Sequence, residues 1–243
     1  MDIAQAAPAT RPDKPLPIDN ELDLLAGLVP LAGARLVEAG CGNARLARDL
    51  LARFPDASVV GMEVDQRQHA KNLAAPQPGL QFVEAGAESI PFPDASFDGA
   101  LMLKSLHHVP MERMADALGE IARVLRPGGW LYSSEPVYAG PLNEIVRLFN
   151  DEGVVRAAAQ RALDAAVASG RWQQAVVVHF ETPVRFADYA DFERRMMDVT
   201  YAERHMDAAT REAVRTLFEH HMAPGGARFT RPMLVRLLRL APR

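Results

Sequence analysis

From Ile18 to about Glu135 the chain alternates short β-rich apolar runs with stretches whose apolar residues recur at helical spacing, and this alternation limits the fold more than any other feature. Arg35 to Ala39, Ser58 to Glu63, Leu80 to Glu84, Gly99 to Leu103 and Trp130 to Glu135 read as strands. Between them, Leu46, Leu50 and Phe54 fall at fourfold spacing, Gln66 to Leu73 is helical in character, and Met114, Leu118, Ile121 and Leu125 share one helical face. Such alternation predicts the α/β class, with a parallel sheet covered on both faces. Pro127, Gly128 and Gly129 stop the last of these helices and turn the chain into the next strand.

After Glu135 the rhythm changes. Leu142, Ile145, Val146 and Phe149 mark an amphipathic helix, and an alanine-rich one follows over Val154 to Val167 with no strand between them. Residues 137–175 are therefore expected to be a helical insertion, standing over the carboxyl ends of the strands as a lid. Further on, Ala175 to Phe180 reads as extended, Asp188 to Met197 and Asp207 to Met222 as helical, and Pro232 to Leu240 as a closing strand. At the other end, Pro8, Pro12, Pro15 and Pro17 remove backbone donors and favour extended neighbours, so residues 1–17 are expected to be a flexible arm and 18–243 one domain.

The 243 residues, 49% hydrophobic and 24% charged, suffice for one large core. A net charge of -4 advertises no nucleic-acid partner, which points to small or neutral ones. The only cysteine, Cys41, forbids an intrachain disulfide and suits a reducing, cytoplasmic setting. No apolar run approaches the roughly 20 residues that cross a bilayer, and no leader pattern opens the chain, so no membrane association is expected. Nothing in the sequence specifies an oligomeric state.

The stretch Leu36 to Leu46, LVEAGCGNARL, sets the chemistry. In a parallel sheet the first strand-to-helix turn is the usual contact for a nucleotide or nucleoside, and Gly40 and Gly42 lie in it. A dinucleotide turn needs a third glycine where this chain has Arg45, and no GK[ST] follows for a P-loop. What remains is acid-x-Gly-x-Gly, with Glu38 suited to a ligand carrying a cationic amine. Glu63 ends the second strand about 20 residues on, where a carboxylate can accept both ribose hydroxyls, with Val64 against the adenine. An amino acid at one end and adenosine at the other describe S-adenosylmethionine.

EAGCGNA, VVGMEVD, AESIPFPDASFDGALMLKSLHHV and RVLRPGGWLYSSE follow one another in the order and at the spacings of the small-molecule class I S-adenosylmethionine-dependent methyltransferases, type 11-like. The resemblance covers roughly Ala34 to Glu135. It implies a Rossmann-like, doubly wound, seven-stranded sheet, mostly parallel, with an antiparallel last strand. It also implies Gly40 and Gly42 under the methionine moiety, Glu63 on the ribose and Ala87 at the adenine edge, and Lys104 belongs with this cofactor set. Two departures stand out. Ala44 replaces the family's third glycine, and Gly86 stands where relatives carry an aspartate near the adenine amine, for which Glu88 is a possible substitute.

The expected reaction is in-line methyl transfer to a small organic acceptor, driven mainly by positioning. Where the acceptor needs a base, His107, His108 or Glu135 are the candidates, and Tyr138, Phe149 and Trp172 are expected to line the acceptor pocket. Neither histidine has another metal-ligating residue at suitable spacing in sequence, so no metal is expected. Cys41 reads as a small turn residue, His220 and His221 as a helix-end pair, and Arg231, Arg236 and Arg239 as polar positions of the last strand. The rivals are a catalytically silent module that binds the same cofactor, favoured by Gly86, and a nicotinamide dehydrogenase, opposed by Arg45.

Overall fold

The computed structural model describes residues 16–198 and 206–242. In chain order the elements are β1 (Leu16–Pro17), α1 (Glu21–Leu28), β2 (Arg35–Ala39), α2 (Arg45–Arg53), β3 (Ser58–Met62), α3 (Gln66–Leu73), β4 (Leu80–Val83) and β5 (Phe97–Leu103). Then come α4 (Met114–Val124), β6 (Leu125–Pro136), α5 (Pro141–Val146), α6 (Gly153–Ala168), β7 (Trp172–Phe186), α7 (Tyr189–Met196), α8 (Ala208–Glu219), β8 (Met222–Ala223) and β9 (Gly226–Leu240). Setting aside the two-residue strands β1 and β8, seven strands lie in the order β4-β3-β2-β5-β6-β9-β7, and only β9 runs antiparallel to its neighbours.

Alternation along each strand sends successive side chains to opposite faces. Val37, Val60, Ala100 and Leu131 pack with Leu118 and Ile121 of α4 and Ala159 and Leu163 of α6. Leu36, Val59, Leu101 and Tyr132 pack with Leu22 and Leu25 of α1 and Leu50 and Leu51 of α2. The expected α4 face is buried throughout, at Met114, Leu118, Ile121 and Leu125. The Pro-Gly-Gly segment does not end the helix itself. α4 stops at Val124, and residues 126–129 loop out of the β5–β6 ladder, with Gly128 at φ +77°.

Three expectations need correction. Residues 1–15 of the expected arm lie outside the described residues, but Leu16 and Pro17 pair in parallel with Phe180 and Glu181 of β7, so the arm's last two residues belong to the sheet. Pro17 fits there because an edge strand leaves one row of donors unused. The 137–175 block is helical only as far as Ala168. Trp172 already begins β7 and is 2% exposed, packed in the core beside α6 rather than in a pocket. Finally, the apolar stripe of α5 mainly completes a core, although Leu142 and Val146 also border the cavity described below. Leu142, Ile145 and Val146 are buried with Phe186, Phe192, Phe218 and Phe229, and Phe149 packs edge-on against Phe192 at 6.2 Å. This third cluster ties the insertion to α7, α8 and β9.

Arg236 is more than a polar strand position. It is buried, donates to Asp164 Oδ1 at 2.6 Å and to Gln174 Oε1 at 2.8 Å, and so pins α6 across β9 and β7. No described helix is long and apolar enough to cross a membrane.

Candidate active site

The turn after β2 is held from three sides. Gly40 (φ +72°) lies so close to Ser105 that a Cβ would sit 2.7 Å from the Ser105 Cβ, while Ser105 Oγ donates to Ala39 O at 2.7 Å. Gly42 (φ +53°) has open space where a side chain would stand. Asn72 of α3, buried, donates to Gly42 O at 2.7 Å, a contact the sequence reading missed. Ala44 takes the left-handed conformation (φ 55°) that the absent glycine would have taken, so its methyl group is accommodated at the cost of a strained backbone.

Glu63 is buried at the end of β3. Its Oε2 accepts from Gly42 N–H at 2.8 Å and its Oε1 from Asp65 N–H at 2.9 Å, which fixes the carboxylate beside the glycine turn with lone pairs to spare. Next to it Val64 is 65% exposed, a large apolar side chain facing outward at the strand's carboxyl end. Glu38 is buried too, and its Oε2 meets no donor among the described residues. Burial pushes its carboxyl up to about 8; Lys104 opposes this, and Glu21 and Glu63 add to it. Burial, with Glu38 and Glu63 nearby, likewise raises the Cys41 thiol, so it is no thiolate nucleophile.

Gly86 and Glu88 lie against each other. A Cβ on Gly86 would lie 2.5 Å from Glu88 Oε1 and 2.6 Å from its Oε2, so the Glu88 carboxylate occupies the volume that an aspartate at 86 would fill. Ala87 between them is buried. The unpartnered carboxylate oxygen of Glu38, the open Gly42, the fixed carboxylate of Glu63 and the exposed Val64 thus stand together at the carboxyl ends of β2 and β3.

Beside the turn, a cavity of about 200 Å³ opens between the loop after β5 and the insertion. Lys104, His107 and His108 form one side, while Leu142, Asn143, Val146, Asn150, Glu152 and Arg156 come from the insertion. Ser105 joins the two halves, because it touches Gly40 and follows Lys104, whose φ of 56° turns the chain out of β5. His107 is buried, with Nδ1 paired to Glu135 Oε2 and Nε2 3.8 Å from Glu152 Oε2. Glu135 Oε1 accepts from Leu106 N–H at 2.9 Å. Glu135 thus stands behind His107 and orients it; it is not among the cavity's lining residues. His108 reaches solvent with part of its ring, and burial of the rest, followed by the adjacent His107, holds its imidazole below the ordinary range.

Tyr138, Phe149 and Trp172 do not line this cavity. Tyr138 donates to Asp151 Oδ1 at 2.8 Å on the outside of the insertion, and the other two are packed as described above. The wall is mixed, with Val137, Leu142, Val146 and Met196 beside the polar groups. Arg156 donates to Glu152 Oε2 at 2.6 Å and to Asn143 Oδ1 at 3.1 Å, and Asn143 Nδ2, buried, meets no acceptor among the described residues. Glu152, Arg156 and Asn143 were not foreseen: Asn143 and Arg156 sit in helices, and Glu152 at a helix N-cap, whose sequence shows only amphipathic or alanine-rich character.

A parallel sheet whose strands end on two glycines and two buried carboxylates defines a nucleoside-binding α/β protein. Residues 37–133 match a family model described as a methyltransferase domain. A phthiotriol/phenolphthiotriol dimycocerosates methyltransferase 1 of Mycobacterium ulcerans is 35% identical over 67% of this chain and 61% of its own length. A fatty-acid O-methyltransferase of Mycolicibacterium smegmatis is 38% identical over 48% of this chain and 43% of its own. The chain thus spans about three-fifths or less of these relatives. The crystal structure of the YcgJ protein of Bacillus subtilis superposes with a TM-score of 0.64 at 17% identity, covering 91% of this chain and 98% of that one, a likeness of fold. Residues 37–133 of this chain thus belong to the class I S-adenosylmethionine-dependent methyltransferase family. The cofactor of that family is S-adenosylmethionine, and its product is S-adenosylhomocysteine.

Proposed function

We propose that this protein transfers the methyl group of S-adenosylmethionine to an oxygen of a small organic acceptor seated in the cavity over Lys104 and His107. The observation that carries this reading is the juxtaposition, through Ser105, of the glycine turn with a cavity into which an imidazole is aimed by a buried carboxylate. Glu38, Gly40 and Gly42 take the methionine end, Glu63 the ribose, and Val64, Ala87 and Glu88 the adenine. Held there, the cofactor would supply its methyl group to an acceptor in the cavity on the other side of Ser105. An in-line displacement needs the acceptor atom within about 3 to 3.5 Å of that carbon, and holding it there supplies most of the acceleration. Once the acceptor hydroxyl gives up its proton, His107 Nε2 receives it, while Glu135 stabilises the imidazolium.

An oxygen acceptor is favoured by the similarity to a fatty-acid O-methyltransferase and by the polar groups of Asn143 and Arg156 in the cavity wall. The 137–168 segment serves as the roof that excludes water, and a cytoplasmic location fits the single buried thiol. The test is incubation with methyl-labelled S-adenosylmethionine and a small-molecule extract of the source cells, followed by mass spectrometry. Label in a small organic product is the expected result. Tight retention of the cofactor with no labelled product would favour the catalytically silent module.

A further inference from the structure

One imidazole nitrogen from each of His107 and His108 and one carboxylate oxygen of Glu152 lie within 4.8 Å of one another, and all three residues line the cavity. We propose that these side chains form a site for a divalent cation of the zinc class. Sequence spacing hides it, because the two histidines are adjacent while the acid arrives from the N-cap of the insertion's longer helix.

The geometry has the features such a site requires. Glu135 accepts from the Leu106 backbone and pairs with Nδ1 of His107, which leaves Nε2 as the ring nitrogen on the side of Glu152. A carboxylate behind the imidazole is what fixes the tautomer and ring orientation of metal-binding histidines. Zinc bonds of about 2.0 to 2.2 Å in a tetrahedral shell place donors about 3.3 Å apart, and the His107 Nε2 to Glu152 Oε2 separation is 3.8 Å. The His108 ring lies 4.1 Å from that of His107. Two imidazoles and one carboxylate suit zinc, cobalt or nickel better than calcium or magnesium, which prefer oxygen shells.

Arg156 works against the ion. It contacts Glu152 Oε2 at 2.6 and 3.1 Å, while Asn150 donates to Oε1 at 2.7 Å, so a cation must share that carboxylate with a guanidinium. Lys104 is a second positive group on the cavity wall. Three protein ligands under this opposition make an exchangeable site rather than a structural one, with its open position toward the cavity. The inference rests on the proposed function only for its consequence: with the ion in place His107 Nε2 is a ligand, and an acceptor oxygen meets a cation there instead of an imidazole.

The test is calorimetric titration of the full-length, metal-stripped protein with zinc chloride in the absence of S-adenosylmethionine. One equivalent should bind, and His108→Ala and Glu152→Gln should each weaken it by at least about 10-fold, since losing even an outer-shell partner costs that much. Replacing the other adjacent pair, His220→Gln with His221→Gln, should leave the affinity unchanged. Cobalt substitution should give a visible absorption band that His108→Ala alters. Absence of a stoichiometric equivalent, or failure of either single substitution to weaken it, overturns the site. S-adenosylhomocysteine binding is measured separately on the same protein, and its absence would contradict the methyltransferase reading while leaving the ion site standing.

Discussion

The glycine turn and the cavity beside it share one end of one sheet, yet they are assembled in opposite ways. The turn itself, Gly40 to Gly42, is contiguous in sequence and is fixed largely through backbone: Gly40 must be a glycine because Ser105 leaves no room, and Glu63 is held by two backbone N–H groups. The cavity is built from side chains brought together across long stretches of chain, with His107 from one loop facing Glu152 and Arg156 from the insertion. Parts near in sequence leave a motif. Side chains that meet across the fold leave none.

The largest expected effect lies outside both halves. Trp172→Ala should cost about 3 to 5 kcal/mol of stability, a fall of roughly 6 to 20 °C in Tm for a chain of this size. Calorimetric melting reads it. A normal Tm accompanied by altered acceptor choice would return Trp172 to the pocket and erase part of the distinction between the two regions.

Within the cofactor half, Glu63→Ala should weaken S-adenosylhomocysteine binding by roughly 1.5 to 3 kcal/mol, about 10- to 150-fold, as charge-assisted bonds to the ribose are lost. It also frees the Gly42 and Asp65 N–H groups, so Glu63→Gln should fall between wild type and alanine. An unchanged dissociation constant would remove Glu63 from the site. A smaller effect is expected at Glu88. Its replacement by alanine should cost about 0.5 to 1.5 kcal/mol of cofactor affinity, and Gly86→Asp in the same variant should restore it. Gly86 carries no positive φ, so the backbone accepts the aspartate. Failure of the double variant to recover would show that the two carboxylates are not equivalent.

Such equivalence marks how far the sequence could be read. The strand and helix order, the glycine turn and the positions of Glu38, Glu63 and Ala87 were legible because local backbone geometry dictates them. Glu88 was legible only as a guess, since whether a side chain folds back over a glycine depends on the loop that carries it. The fates of Trp172 and of the α5 stripe were not legible. An amphipathic pattern states that a face is buried but not against what, and the partners Phe186, Phe192, Phe218 and Phe229 lie far along the chain. Asn143, Glu152 and Arg156 look in the sequence like ordinary exposed positions of helices.

Glu38 supplies a subtler difference between the halves. Its pKa is raised to about 8, by burial first, so below the ordinary carboxylate range its protonation costs the fold nothing relative to the unfolded chain. Between that range and about 8 the native state holds a proton that the unfolded chain has released, and its share of stability is lost as pH rises through this window. Glu38→Gln should therefore gain in Tm relative to wild type as pH is raised from 6 to 9. Because a cationic amine requires the ionised form, cofactor binding at pH 7 should release protons, measurable as a dependence of the binding heat on buffer ionisation. Parallel melting curves and buffer-independent heats would show that Glu38 is already ionised.

The central claim is that the turn holds an amino-acid-bearing adenosine and that the carboxylates, not a phosphate cradle, select it. The most direct measurement is side-by-side calorimetric titration of the full-length protein with S-adenosylhomocysteine and with NAD at pH 7.5. Saturable one-to-one binding of S-adenosylhomocysteine, abolished or sharply weakened in Glu63→Ala, with no heat from NAD, is the expected result; NAD binding at comparable concentration without binding of the sulfur nucleoside would contradict it.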